Sequence, residues 1–414
     1  MTKRNKCACC SGKKFNTLYD FGEIPLAGSF PLEQDKDKIT RYPLAIITCS
    51  NCKLVQTDTL IEPEVLFKDY RYVSSVGMQK HFNQYADWLI NEENITPDSQ
   101  ILEFGCNDGP LLDALNQKGI RNTIGIDPAT NIVKLGRKKG LNLINDFFNY
   151  DFVNNLNWDN KFDYILASNT FAHITDINSV VKAVEFSLKE DGKFIFEVQY
   201  LVDLVDKFQF DFMYHEHLYY YTLTSLKHLL ANHGLTIIDF TRIPIHSGSI
   251  RVTATKDKSL IPSKKIEELI ESEKDYHSLC NFTSSIEKSL SELKQFLKDN
   301  NDKKIIGYGA SGRANTVIGT LDLDSNDIKY IIDESPERYN RFTSNGKIKI
   351  LPPESIEEDV DYILIFAWNF SLDMPANLML LEIFSIRKIN LAIKTTENIS
   401  VIFQLAISIK IYKK

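Results

Sequence analysis

The sequence predicts an α/β protein built of three units in series. Three observations lead there. Two Cys-x-x-Cys pairs lie near the N-terminus, Cys7/Cys10 and Cys49/Cys52. From Ile101 to about Lys256, short apolar runs alternate with stretches of helical period, the pattern of an open, mostly parallel sheet covered by helices. At Lys304-Ile305-Ile306 a second apolar run enters a new glycine loop and opens another α/β unit. A chain of 414 residues is long enough for such an arrangement.

Bulk composition narrows the class. Hydrophobic residues make up 43% and charged residues 25%, as in ordinary globular proteins. A net charge of -7 and a pI near 5.7 argue against a nucleic-acid partner. No apolar run is long enough to cross a bilayer, so no membrane association is expected. The basic opening Met1-Thr2-Lys3-Arg4 is followed by no apolar segment, unlike a signal peptide. The expected location is the cytoplasm, where thiols stay reduced. No protein partner is evident.

The cysteine pairs come first. Two matched knuckles in a reduced compartment point to a structural Zn2+ held by Cys7, Cys10, Cys49 and Cys52. A redox pair would need only one such motif, at a helix start. Cys9 could take the place of Cys10. A closed four-thiolate shell leaves no open position for chemistry and would stabilise a unit with little core. Between the pairs, Phe21 to Phe30 reads as loop, punctuated by Gly and Pro. After them, Tyr70 and Tyr72 alternate ahead of Ser74 and Ser75. They suit a ligand-facing wall, and equally the half-buried face of a strand. Gln79 to Glu92 has a helical period.

The central unit is organised around Ile101-Leu102-Glu103-Phe104-Gly105-Cys106-Asn107-Asp108-Gly109. An apolar strand ends in an acid, and two glycines lead into a helix start. Such a loop lets the backbone approach a ligand and turns its N–H groups toward it. The spacing G-x-x-x-G differs from the dinucleotide fingerprint G-x-G-x-x-G. A second run, Thr123 to Ile126, ends in Asp127, where an α/β site holds ribose hydroxyls. Together these suggest S-adenosyl-L-methionine (AdoMet), with Glu103, Gly105, Asn107, Gly109 and Asp127 as candidate contacts. Asp146, beside Phe147 and Phe148, suits an adenine amine next to a flat apolar wall, or a helix N-cap. Asn169 follows the fourth strand, at the carboxyl edge where ligands sit. The remaining strands are expected at Leu143–Ile144, Phe162–Ala167, Lys193–Val198, Leu235–Arg242 and Ile250–Ala254, the last inserted antiparallel through a hairpin. That order matches a Rossmann-like class I methyltransferase core.

The densest chemistry lies between Asp211 and Tyr221, where Tyr214-His215-Glu216-His217 stands in an aromatic cluster. A metal could use His215 and His217, but no third ligand has the local spacing. Proton transfer fits better: histidine titrates near neutrality, and an adjacent carboxylate can orient it. His173 follows the fourth strand and could face the same cleft or cap a helix. His246 and Arg251 flank the last hairpin turn, where Arg251 could meet a phosphate or a sugar hydroxyl, or simply solvent.

Residues 262 to 300 read as a charged helical connector. The second α/β unit carries Gly307, Gly309 and Gly312 in the G-x-G-x-x-G spacing, with Asp333 at the end of the next strand. That is a dinucleotide signature, and leaves open a nicotinamide-dependent oxidoreductase. A sugar-nucleotide diphosphate could occupy the same helix start.

With these residues in view, the chain resembles the C-methyltransferases of deoxysugar biosynthesis, which act at C-3 of nucleotide-linked 4-keto sugars. The likeness rests on the four cysteines, Tyr70 to Ser75, the Glu103–Leu112 loop, Asn169 to His173, Phe196 to Tyr200, Tyr214 to His217, the His246–Arg251 turn, the Gly307–Asn315 loop and Trp368-Asn369. It implies a zinc-binding domain over residues 1–75, an AdoMet domain over 76–260, a connector over 261–300 and a Rossmann-like domain over 301–414. It implies His217 as the base, Tyr214, Glu216 and His173 in the sugar pocket, and Tyr70 or Tyr72 reaching in from the first domain. The same pocket is expected to take the nucleotide sugar through His215, His246 and Arg251. The Gly307 loop then serves architecture or the sugar nucleotide. An O- or N-methyltransferase is the nearest alternative. The chain departs from the family in Ser247, in Asp127 where Glu is commoner, and in a tail after about residue 380 that lacks Gly and Pro.

Overall fold

The computed structural model describes residues 1–67, 74–276, 279–357, 359–366, 400–405 and 408–413. Tyr70, Tyr72 and Trp368-Asn369 lie outside the described residues. Among the described residues, no helix is long and apolar enough to cross a membrane.

The central sheet has seven strands in the order Thr236–Ile243, Ser249–Thr255, Leu188–Gln199, Phe162–Ser168, Ile101–Phe104, Thr123–Ile126, Leu143–Ile144. Every neighbouring pair from Leu188–Gln199 to Leu143–Ile144 is parallel. Ser249–Thr255 is antiparallel to both neighbours, as the hairpin predicts. The order reverses between Ile101–Phe104 and Phe162–Ser168, the switch point at whose carboxyl ends open α/β sheets bind ligands.

Each face of this sheet is buried, so its strands are nearly continuous apolar runs. Phe104, Ala167, Phe194 and Phe196 pack on one side with Phe148, Phe171 and the helix Ile177–Ser187. Ile101, Leu166 and Ile195 face the other side, against Phe82, Tyr85 and Leu89 of helix Ser75–Asn91 and Leu111, Leu112 and Leu115 of helix Pro110–Gln117. Side chains alternate along a strand. The second face therefore continues toward the carboxyl ends through Glu103, Ser168, Glu197 and Arg251, where it becomes polar.

The N-terminal unit is a four-stranded sheet, and one of its strands comes from far along the chain. Phe15–Pro25, Arg41–Cys49 and Val55–Thr57 are joined by Tyr219–Tyr220, which pairs with Val55 and Gln56. Tyr219–Tyr220 directly follows the Tyr214–His217 motif. The motif is thereby tied to the cysteine-bearing sheet by main-chain hydrogen bonds, including Thr57 N–H to the Leu218 carbonyl at 3.1 Å.

Helices Lys265–Ser272 and Cys280–Asp299 occupy the expected connector. Beyond them, Ile350–Leu351, Ile331–Ile332, Ile305–Tyr308 and Tyr362–Ile365 form a parallel sheet in that order. Ser400–Leu405 extends it in parallel, and Ser408–Lys413 closes its edge antiparallel.

Candidate active site

The glycine loop is held open by left-handed backbone. Gly105, Asn107 and Gly109 all have positive φ, at 62°, 54° and 74°. A Cβ on Gly105 would run into the Thr170 side chain, so this position admits glycine alone. Asn107 N–H donates to Asp127 Oδ2 at 2.9 Å, and Ala129 N–H donates to Asp127 Oδ1 at 2.9 Å. These bonds fix the Asp127 carboxylate at its strand tip, each oxygen keeping a second lone pair. Ser74 N–H and Ser75 N–H donate to the side chains of Asn107 and Asp108, at 2.9 and 3.1 Å, and tie the start of helix Ser75–Asn91 to the loop. Lys139 pairs with Asp108 Oδ2 at 2.7 Å.

Glu103 ends the strand before the loop. Its Oε1 accepts from Ser168 Oγ at 3.0 Å, while its Oε2 is buried with no partner. Burial pushes its carboxyl up to about 8. A buried acceptor beside an open backbone loop fits a hydroxyl or ammonium donor on a ligand. Asp146 is exposed and accepts from Phe147 N–H at 2.7 Å; the helix cap is made by Asn149, two residues past Phe147. Phe148 stacks on Phe104 at 4.7 Å, and Phe147 remains exposed beside Asp146. Asn169 has a φ of 55°, and its N–H donates to the Glu197 carbonyl at 2.9 Å. The loop residues, Asp127 and the AdoMet ribose and amino groups are compatible on this geometry.

The second group of candidate residues is the histidine cluster. His217 Nδ1 lies 2.9 Å from the Phe212 carbonyl, which only accepts, so Nδ1 carries the proton. Its Nε2 therefore presents a lone pair, 3.0 Å from Tyr214 Oη. His173 sits edge-on to it, ring centres 4.9 Å apart, and donates from Nδ1 to the Glu216 carbonyl at 2.7 Å. Burial lowers the pKa of both imidazoles, and for His217 the neighbouring His173 adds to the effect. Both are neutral at neutral pH, the state a base needs.

The motif's other two side chains meet residues of the N-terminal unit. His215 Nε2 donates to the Tyr42 carbonyl at 3.1 Å in the N-terminal sheet, and burial lowers its pKa to about 4. The two histidines of the His-x-His pair thus point to different partners. Glu216 Oε1 accepts from Gly28 N–H at 2.8 Å, and its Oε2 is buried without a partner. The sequence leads one to expect an adjacent carboxylate orienting the histidine; in the structure a main-chain carbonyl orients His217, and Glu216 anchors the Phe21–Phe30 loop. Burial raises the Glu216 carboxyl.

Arg251 is not at a solvated turn. It lies inside its strand, opposite Glu197, and donates to Glu197 Oε1 from Nε at 2.9 Å and Nη2 at 2.6 Å. Its guanidinium covers the Tyr85 ring at 3.8 Å. His81 contacts Glu197 Oε2 at 2.8 Å. Burial alone would raise the Glu197 carboxyl; His81 and Arg251 more than offset it and hold it below the usual carboxylate range. His246 occupies the turn with a φ of 49°, near Glu197, His81 and His173, and burial lowers its pKa to about 4. Glu197 and His81 escape a sequence reading. The available signal was one acid inside the run Phe194 to Val198 and one cation inside Ile250 to Ala254.

The four cysteines converge. The Sγ atoms of Cys7, Cys10, Cys49 and Cys52 lie within 4.8 Å of one another. Four thiolates at about 2.3 Å from a tetrahedral ion are about 3.8 Å apart, so the set fits zinc. Cys9 instead turns to the Ser225 carbonyl. Gln56 supports the cluster, donating to Cys7 Sγ at 3.3 Å from the strand that pairs with Tyr219.

In the last unit, the Gly307–Gly312 loop is used for packing. Gly312 lies against Ala27 and Tyr214, and Asn315 Nδ2 donates to the Ala27 carbonyl at 2.7 Å. Asp333 accepts from Ala310 N–H and pairs with Arg338. These contacts favour the architectural reading of the loop over a nicotinamide site.

Comparison with known proteins gives three successive matches along the chain. Residues 7–67 match the family model described as "Putative zinc binding domain", residues 78–239 match "Methyltransferase domain" and residues 244–380 match "C-methyltransferase C-terminal domain". The C-methyltransferase NovU of Streptomyces niveus is 30% identical over 388 residues, covering 90% of this chain and 92% of that protein. Among solved structures, magnesium protoporphyrin IX methyltransferase of Synechocystis PCC 6803 is 16% identical, with a TM-score of 0.36 over 44% of this chain and 84% of that one. The PH0226 protein of Pyrococcus horikoshii OT3 is 17% identical, with a TM-score of 0.36 over 48% of this chain and 99% of that one. Likenesses this remote decide nothing about the chemistry.

Proposed function

The chain belongs to the AdoMet-dependent, zinc-binding C-methyltransferases, and from that premise we propose that it methylates C-3 of a nucleotide-linked 4-keto deoxysugar. One observation carries the reading: a neutral, half-buried His217 whose Nε2 lone pair faces the Tyr214 hydroxyl at 3.0 Å. Such a pair is the equipment for abstracting a proton next to a carbonyl.

A C-4 ketone acidifies the hydrogen on C-3. His217 Nε2 takes that proton, breaking the C–H bond and leaving the electron pair delocalised onto the C-4 oxygen. Tyr214 turns its O–H from Nε2 to that oxygen and stabilises the charge as it develops. His173, neutral and fixed by the Glu216 carbonyl, walls the same cleft. AdoMet, when bound, supplies an electrophilic methyl group. Glu103, Gly105, Asn107, Gly109, Asp127, Asp146 and Asn169 would hold it. Glu216, His215, His246 and Arg251 support the pocket from behind through Gly28, Tyr42 and Glu197. The cysteine cluster would hold its ion for structure, with no step assigned to it.

The test is mass spectrometry of reactions with AdoMet and a panel of 4-keto deoxysugar nucleotides. A product heavier than the substrate by one CH2, with the methyl on carbon, supports the reading. Without AdoMet, the C-3 hydrogen should exchange with deuterated solvent. A methyl found only on oxygen or nitrogen, with no exchange, would overturn it.

A further inference from the structure

Asp211 and Arg313 form a buried pair that no step above uses. Arg313 comes from the first turn of helix Gly312–Leu321 in the C-terminal unit, and Asp211 lies three residues before Tyr214. The guanidinium makes a two-pronged contact: Nε to Asp211 Oδ2 at 3.0 Å and Nη2 to Asp211 Oδ1 at 2.9 Å. Both residues are buried. The same guanidinium lies 4.2 Å from the centre of the Phe212 ring, which also stacks with the imidazole of His217, parallel at 10° with centres 5.9 Å apart. The Phe212 carbonyl is the acceptor for His217 Nδ1, and it also accepts from Tyr220 Oη at 3.3 Å.

A buried ion pair returns little net stability, because both ions lose their hydration. What the fork does supply is direction: a planar guanidinium admits one orientation of the carboxylate, and the stack above it one orientation of the Phe212 ring. With Asp211 and the ring both fixed, the peptide carbonyl between Phe212 and Met213 has little freedom to turn. We propose that Arg313 is a positioning residue for the proton-transfer site: by clamping Asp211 and Phe212 it fixes the carbonyl that selects the Nδ1–H tautomer of His217. The C-terminal unit thereby acts on the base from about one residue's remove, without touching the reacting atoms. The inference rests on the reading of His217 as the base.

The experiment measures tautomer and chemistry separately, on the full-length, zinc-loaded protein. Nitrogen-15 spectra of histidine-labelled protein report which ring nitrogen carries the proton, and His217→Asn assigns the His217 signal. The wild type should show Nδ1–H alone. Arg313→Met should give a mixture of tautomers and a roughly 10- to 100-fold slower C-3 exchange, the range in which misplacing a base acts. Arg313→Lys, which keeps the charge but loses the fork, should fall between. Asp211→Asn, nearly isosteric, carries the test if Arg313→Met does not fold. AdoMet affinity within twofold of wild type certifies the fold of each variant. An unchanged Nδ1–H signal in folded Arg313→Lys and Asp211→Asn overturns the proposal. If that signal is unchanged while His217→Asn abolishes exchange, the positioning role fails and the base assignment stands. If the signal shifts while exchange survives in His217→Asn, the clamp stands and the base is elsewhere.

Discussion

Tyr214 Oη and His217 Nε2 face each other at 3.0 Å, and the two rings lie with their centres 4.1 Å apart. The Phe212 carbonyl accepts a hydrogen bond from Nδ1–H, so in the bond to Tyr214 the tyrosine donates and His217 Nε2 accepts. The proposed base is thus capped, in the resting protein, by the group proposed to stabilise its product.

Different losses are expected for the two residues. His217→Asn should lower turnover about 10²- to 10⁴-fold, the usual contribution of a positioned base. Tyr214→Phe should cost about 10²- to 10³-fold, as removal of one oxyanion donor does. AdoMet affinity by calorimetry should stay within twofold for both. Because burial lowers the pKa of His217, the rate should be level through neutrality and fall only below pH 6.5. Turnover unchanged in His217→Asn would remove the base assignment.

Glu103 should couple cofactor binding to stability. Its carboxyl, ordinarily near 4.5, is raised by burial to about 8. Between those values the folded protein holds a proton that the unfolded chain has released, so the ligand-free protein should lose stability as pH rises from 4.5 through 8. Glu103→Gln removes that loss: it should melt higher than wild type at pH 9 and respond less to pH. It should also bind AdoMet about 10- to 100-fold more weakly, the cost of one hydrogen bond to a charged group. Thermal melts and calorimetry across this range check both. Parallel pH profiles for the two proteins would count against the assignment.

How much of this the sequence carries depends on the distance over which each signal acts. The Glu103–Gly109 loop, Asp127 and the inserted antiparallel strand were legible because each is local: a strand, its turn and its alternation sit in one stretch. The cysteine pairs were legible because metal spacing repeats. The roles inside Tyr214–His217 were not. That Glu216 meets Gly28, that His215 meets Tyr42 and that Tyr219–Tyr220 completes an N-terminal sheet all depend on contacts more than a hundred residues away in the chain. Arg251 falls inside the expected strand Ile250–Ala254; what nothing near it announces is its partner Glu197, which only the pairing of the two strands brings opposite.

The zinc site should control more than its own unit. Gln56 links Cys7 Sγ to the strand that carries Tyr219, two residues beyond His217. Cys49→Ser or prolonged chelation should remove one equivalent of zinc, measured by atomic absorption, and destabilise the N-terminal sheet, since structural zinc contributes folding energy outright. Methyl transfer should fall with it, while AdoMet affinity, set by the central sheet, should persist. Full turnover in a zinc-free protein would show the cluster to be dispensable to the site.

Acid should destabilise the protein through two of its histidines. His215 and His246, ordinarily near 6.5, are lowered to about 4 by burial. Between those values the unfolded chain binds protons that the folded protein refuses, so stability rises with pH there and is lost as pH falls from 6.5 to 4. Below 4 both states are protonated and the loss stops growing. The slope is at most about 1.4 kcal/mol per pH unit for each histidine. His215 donates from Nε2 to the Tyr42 carbonyl, and Gln can keep a donor there without a titratable group. His215→Gln should therefore be somewhat less stable than wild type at pH 7.5 and should lose less between 6.5 and 4. Denaturant unfolding at half-unit pH steps measures both slopes. An identical slope in His215→Gln would mean that His215 takes up its proton in the folded protein as readily as in the unfolded chain.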